Sequence, residues 1–136
     1  MSSMLLEIVT PERLVLSQEV QMVNVVGTEG AMGILPGHAH LLTALAIAPL
    51  RWQETEGGEE KKAAICGGFM EVTPDKVSIL AETAELGDFI DLDRCMLAMK
   101  RAEERIQQVK GGAEDIDVAR AERALQRAVT RLKVLN

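Results

Sequence analysis

Aromatic residues are almost missing from this chain: its 136 residues include two Phe, one Trp and no Tyr. A core must therefore be built from aliphatic side chains and the seven Met, and no row of rings is available to stack on single-stranded nucleic acid. Basic charge is also short. The formal net charge is -6, which withholds the basic surface a duplex binder needs to displace counterions, so nucleic acid is excluded as a partner. Cysteine is limited to Cys66 and Cys95 with no CxxC pair, which excludes a disulfide framework or zinc knuckle and fits a reducing compartment. Long apolar runs are absent as well. Leu41 to Leu50 is broken by Thr43 and Pro49, and the first ten residues lack a basic start and contain Glu7, so the reading is of a chain neither secreted nor membrane-spanning. What remains is 47% apolar and 26% charged, the balance of a globular protein with one medium domain or two small ones.

Composition changes near residue 86. All four Pro and eight of the 11 Gly precede it, and the charge shifts from 5 Lys+Arg against 12 Asp+Glu in residues 1–86 to 10 against 9 in residues 87–136. We read a domain boundary there. In residues 1–86, short aliphatic runs (Leu5 to Val9, Arg13 to Leu16, Val20 to Val26, Arg51 to Gln53, Ala63 to Cys66, Phe69 to Val72, Val77 to Leu80) alternate with turn signals such as Thr10-Pro11, Gly27 to Gly30, Pro36-Gly37, Gly57-Gly58, Gly67-Gly68 and Pro74-Asp75. That rhythm predicts a mainly β sandwich or barrel. The run from His38 to Ala48 is too continuous to separate a buried strand from a helical turn.

Residues 87–136 carry the helical period instead. Leu92, Cys95, Met99, Ala102, Ile106 and Val109 form one stripe; Val118, Ala121, Leu125, Ala128, Leu132 and Leu135 form another, with Gly111-Gly112 between them and Asp115 or Asp117 as N-cap. This predicts an antiparallel α-helical hairpin. Its small facing residues let the helices approach closely but bury little area, so a hairpin on a Gly87 hinge is a candidate moving element.

Chemistry-bearing patterns are few. Gly27 to Gly33 lacks the Gly-Lys-Ser/Thr ending of a phosphate loop and reads as tight turns. His38 and His40 would share one face of an extended segment, but no third ligand has metal-site spacing. No nucleophile, base and orienter can be assembled, so the chain reads as non-enzymatic. Arg120, Arg123, Arg127 and Arg131 line one face of the second helix, where Glu122 is the only acid after Val118, and Arg94, Arg101 and Arg105 form a comparable row on the first. Physical reasoning leaves two readings of these rows: a solvated basic face partly paired with Asp93, Glu103 or Glu104, or an anion site where the rows meet.

Two longer motifs add to this. Gly30-x-x-Gly33-Ile34-Leu35-Pro36-Gly37-His38 runs into Leu41-Leu42-Thr43-x-Leu45, and Gly67-Gly68-Phe69-Met70-Glu71-Val72 is followed by Val77-Ser78-Ile79-Leu80-Ala81-Glu82-x-Ala84-Glu85. With them the chain resembles, over nearly its whole length, the epsilon subunit of the F-type ATP synthase. The resemblance implies a non-catalytic rotor subunit whose sandwich docks between the gamma subunit and the membrane rotor ring of c subunits. Gly30, Ala31, Met32 and His38 would make those contacts, with Ala31 and His40 standing where similar members carry an acid and Pro. It further implies a hairpin that permits turnover when folded and blocks ATP hydrolysis when extended among the catalytic alpha and beta subunits. Location would be peripheral, at the cytoplasmic face of the cell membrane.

Some bacterial members bind ATP as a regulatory ligand through Ile/Leu-Asp-x-x-Arg-Ala, and Ile90-Asp91-Leu92-Asp93-Arg94-Cys95 matches all but the last residue. By that resemblance Glu85, Ile90, Asp91 and Arg94 line the base and ribose, Arg127 and Arg131 the phosphates, and Arg101 and Arg120 assist. No cofactor is required. The rival reading is a free-standing anion-binding module with an Arg-rich hairpin.

Overall fold

The computed structural model describes residues 2–135, so Met1 and Asn136, the outer ends of segments 1–86 and 87–136, lie outside the described residues. Eight strands come first: β1 Met4–Val9, β2 Leu14–Val20, β3 Met22–Gly27, β4 Gly30–Ile34, β5 Leu41–Ala44, β6 Ile47–Gln53, β7 Glu60–Thr73 and β8 Lys76–Leu86. A 3-10 turn, Gly87–Phe89, leads into α1 Leu92–Lys110 and α2 Val118–Leu135. The expected sandwich and antiparallel hairpin are both present.

The sandwich is made by one long hairpin that belongs to both layers. The second half of β7 pairs with β5, and with the first half of β8, which continues through parallel β1 to β2. The first half of β7 pairs with the end of β8 on one side and on the other with β6, which leads to β3 and β4. Alternating side chains fill the space between: Met4, Leu6 and Ile8 from β1, Val23 and Val25 from β3, Leu50 and Trp52 from β6. Inward positions change parity midway along β7, from Ala63 and Ile65 to Met70 and Val72, and on β8 between Ala81 and Ala84. Gly67 and Gly68, both at positive φ, make that change. A Cβ on Gly68 would run into the Leu80 carbonyl oxygen, so glycine is needed there for close approach as well as conformation.

Three expectations are corrected here. Gly67-Gly68 is a bend inside the 14-residue strand β7, not a turn between two strands, because cross-strand pairing continues past it. The run Val20 to Val26 is two strands broken at Gln21; both halves are β-branched, so composition hid the corner. Gly30 and Gly33 lie within β4 rather than in turns, while the tight turn itself is Thr28-Glu29 between the paired Gly27 and Gly30. The ambiguous run His38 to Ala48 resolves into β5 and the start of β6.

In the hairpin, the Asp91 carboxylate accepts from Arg94 N–H (3.2 Å) and that of Asp117 from Arg120 N–H (3.1 Å), capping each helix start where backbone donors lack partners. Gly112, at φ 101°, turns the chain between them. Helix α2 lies on β6 and β7, and α1 packs on α2. Cys95, Ala102, Ala121 and Ala128 are buried in the helical pair, where the Cys95 thiol donates to the Ala128 carbonyl at 3.1 Å. Thr130 and Val134 are buried too, off the predicted stripe. Helix α2 thus has a second face, and Val134 meets Ala64 and Ile90 against the outside of the sheet. Gly87 sits in the 3-10 turn, where a Cβ would touch Val134 at 3.5 Å.

Candidate functional site

Where strand β8 runs into α1, three elements converge on a cleft of about 420 Å³. Glu85 comes from the outer face of β8, since its cross-strand partner Ala64 belongs to that face. Ile90, almost fully buried under α2, anchors the connection to α1. Asp91, Arg94, Cys95, Ala98 and Arg101 recur at helical spacing along one side of α1, and Arg131 reaches in from α2.

Six of the eight sequence-predicted ligand residues are therefore brought together: Glu85, Ile90, Asp91, Arg94, Arg101 and Arg131. The other two stand elsewhere. Arg120 lies at the hairpin tip, in a separate cleft with Arg105, Asp115 and Asp117; Arg127, half-buried one turn before Arg131, is not among the residues lining the junction cleft. Sequence reasoning missed Phe89 and Ala98, which line it as well. Ala98 was readable from its spacing to Arg94 and Arg101, whereas Phe89 lies just before the helical period begins.

The electrostatics of the cleft are uneven. Arg131 Nε donates to Glu85 Oε1 at 2.7 Å, tying α2 to the sandwich across 46 positions of sequence. Asp91 is engaged at the helix cap. Arg101 donates through Nε to the Leu97 carbonyl of its own helix (3.4 Å), and among the described residues neither Arg94 nor Arg101 has a carboxylate partner within salt-bridge distance. Two uncompensated guanidiniums beside a paired third suit a polyanion better than a neutral ligand. Burial pushes the Cys95 thiol up from its ordinary value, the Arg131 charge opposing and the Glu85 charge reinforcing the shift. The thiol is thus a neutral wall of the cleft.

The four residues predicted to meet the rotor ring or gamma are divided by the fold. Gly30 and Ala31 are exposed and Met32 half-buried on β4, the edge strand of its layer. His38 lies beyond the far end of that strand, beside the β7–β8 turn, where Gly37 N–H donates to the Pro74 carbonyl at 2.8 Å. Its Nδ1 is 2.7 Å from the Ala39 carbonyl oxygen. Among the described residues no group of three His, Cys, Asp or Glu comes together as a metal site.

The outer face of the other layer is open. Leu14, Val9, Leu80, Phe69 and Ala44 stand side by side across β2, β1, β8, β7 and β5, each the registered partner of the next. Leu14, Phe69 and Leu80 are each more than half exposed, and neighbouring Leu42 is 69% exposed. Such a row on a water-facing sheet marks an interaction surface. No helix among the described residues is long and apolar enough to cross a membrane.

Two family models match end to end: the β-sandwich domain of the ATP synthase delta/epsilon chain over residues 3–87, and the long α-helix domain of the same chain over residues 88–136. The ATP synthase epsilon chain of Nitratidesulfovibrio vulgaris is 47% identical over 132 residues, covering 97% of this chain and 95% of its own length. That of Desulforamulus reducens is 48% identical over 128 residues, covering 94% and 93%. Among solved structures, a chain of the Euglena gracilis mitochondrial ATP synthase, in its OSCP/F1/c-ring assembly, shares the fold with a TM-score of 0.82 at 24% identity, covering all of this chain and 83% of that one. With both family segments in order, and nearly half its residues shared with those relatives along almost the whole length, the chain belongs to the delta/epsilon chain family of the ATP synthases, among the epsilon chains, which are non-catalytic subunits.

Proposed function

We propose that this protein is a rotor subunit of the central stalk that couples proton-driven rotation to ATP synthesis, and that its hairpin restrains ATP hydrolysis under the control of bound ATP. The sandwich holds gamma through the row from Leu14 to Ala44, on the layer opposite the strands that α2 covers. The edge strand carrying Gly30, Ala31 and Met32, and the loop carrying His38, reach toward gamma and the ring of c subunits. The assembly sits peripherally at the cytoplasmic face of the cell membrane.

The junction cleft carries the regulatory part of this reading. Its walls come from β8, α1 and α2, so a ligand held there binds the hairpin only while it is docked. ATP places its ribose near Glu85 and Asp91, and its phosphates toward Arg94, Arg101 and Arg131, with Arg127 one turn earlier on α2. A ligand exclusive to the docked state stabilises it by RT ln(1 + [ATP]/Kd), about 2.7 kcal/mol at a hundredfold excess over Kd, which moves a balanced equilibrium roughly a hundredfold. When ATP falls, the hairpin extends and its arginines find anionic partners on the alpha and beta subunits.

Two measurements test this together. Calorimetric titration of the whole chain with ATP should show binding, weakened by one or two decades in Arg94→Ala, whose guanidinium lines the cleft, since charge-assisted bonds contribute about 1.5 to 3 kcal/mol each. Complexes reconstituted without residues 88–136 should keep gamma and hydrolyse ATP faster than the full-length form at low ATP. Equal rates, with assembly verified, would remove the inhibitory role.

A further inference from the structure

We infer that Phe89 is the base-stacking residue of the junction cleft and gives it a preference for purine over pyrimidine nucleotides. The inference rests on the reading of that cleft as a nucleotide site.

The chain has three aromatic side chains, and two are accounted for. Trp52 is in the core, and Phe69 is in the apolar row on the open face of the sandwich. Phe89 is 69% exposed, yet it lines the junction cleft together with Glu85, Arg94 and Arg131. Its backbone is held in place. The 3-10 turn closes with Ile90 N–H donating to the Gly87 carbonyl at 3.1 Å, and Ile90, the next residue, is buried against Ala64 and Val134. A large apolar side chain on an anchored stretch of backbone thus lines a cationic cleft, where leaving it in water has a cost that a flat ligand would remove.

Among the described residues lining the cleft, Phe89 is the one aromatic ring. The remaining apolar walls are Ile90, Cys95 and Ala98, of which Cys95 and Ile90 are buried and offer little surface. The guanidiniums belong to the phosphate end. Stacking on a ring is tolerant of base identity but grows with the overlapping area, so the two-ring purines gain more from Phe89 than the one-ring pyrimidines. A purine nucleotide then meets an aromatic face at one end of the cleft and charge at the other.

The test is calorimetric titration of the full chain and of Phe89→Ala and Phe89→Trp with ATP, UTP and tripolyphosphate, the last a base-free probe of the phosphate end. Phe89 is exposed, so the fold does not depend on it, and far-UV circular dichroism checks this. Wild type should bind ATP more tightly than UTP. Phe89→Ala should lose roughly tenfold or more in ATP affinity, lose less for UTP, and leave tripolyphosphate unchanged, while Phe89→Trp restores ATP binding. If ATP binds wild type and Phe89→Ala equally well, the stacking role is wrong although the nucleotide site stands. If ATP binds wild type no more tightly than tripolyphosphate, the base makes no contact and the inference likewise fails. If wild type binds none of the three at millimolar concentration, the reading of the cleft as a nucleotide site falls, and this inference with it.

Discussion

The contact that should govern hairpin docking is the pair between Arg131 and Glu85, and a double-mutant cycle measures it. The two side chains are 24% and 32% exposed and 2.7 Å apart. Fully exposed pairs couple by about 0.2 to 1 kcal/mol, and partial shielding by α2 places this one near the top of that range. About 1 kcal/mol is a fivefold change in the ratio of docked to undocked hairpin. Among the described residues, Val134 of α2 and its partner Ile90 are buried together at the junction, worth about 1.5 to 3 kcal/mol each when fully covered, so the ion pair adds to a modest apolar contact there.

Cys66 supplies the readout. It is 5% exposed on the side of β7 opposite the inward Ile65, the face that α2 covers, and undocking frees it for a thiol reagent. Labelling of Cys66, resolved by peptide mass spectrometry without nucleotide, should accelerate about fivefold in Arg131→Gln and in Glu85→Gln. The double variant should label no faster than either single one, and 1 M salt should narrow the differences by screening. Additive effects of the two substitutions, or wild-type rates in both singles, would refute the claim that this pair latches the hairpin.

Other outcomes follow from particular contacts. Gly68→Ala should lower sandwich stability by about 2 to 4 kcal/mol, combining positive-φ strain with the clash against the Leu80 carbonyl, visible as a large fall in the thermal midpoint; an unchanged midpoint would show that β7 can bend elsewhere. Phe69→Asp with Leu80→Asp should abolish copurification with gamma while leaving the isolated chain folded, and retained gamma would move the docking face. The Cys95 pKa is raised by burial from 9.0, so the folded chain keeps a proton that the unfolded chain loses. That contribution is complete below about pH 9 and is lost as pH rises further, so a midpoint followed from pH 8 to 10.5 should fall more steeply in wild type than in Cys95→Ala. A fragment of residues 1–86 should unfold cooperatively, because its core side chains are contributed from within it; a disordered fragment would show that the hairpin shares that core.

Much of the architecture was legible because it depends on neighbours in sequence. The cap at Asp117, the stop at Gly111-Gly112 and the three-and-four spacing of Cys95, Ala102, Ala121 and Ala128 are local features, set within one or two turns of backbone. The arginine rows were legible as rows, and so was their ambiguity between a solvated face and an anion site. Which arginines meet a carboxylate was not. Glu85 and Arg131 are 46 residues apart, and only the docking of α2 on β6 and β7 puts one against the other, while among the described residues Arg94 and Arg101 are left without an acid in salt-bridge reach. The same docking buries Thr130 and Val134, which no single-face pattern selects, since a helix covered on two sides shows two stripes that overlap. Along β7, sequence marked Gly67-Gly68 as a break in pattern. Pairing on both sides decided that the strand continues through it, because a strand is held by partners that sequence places far away.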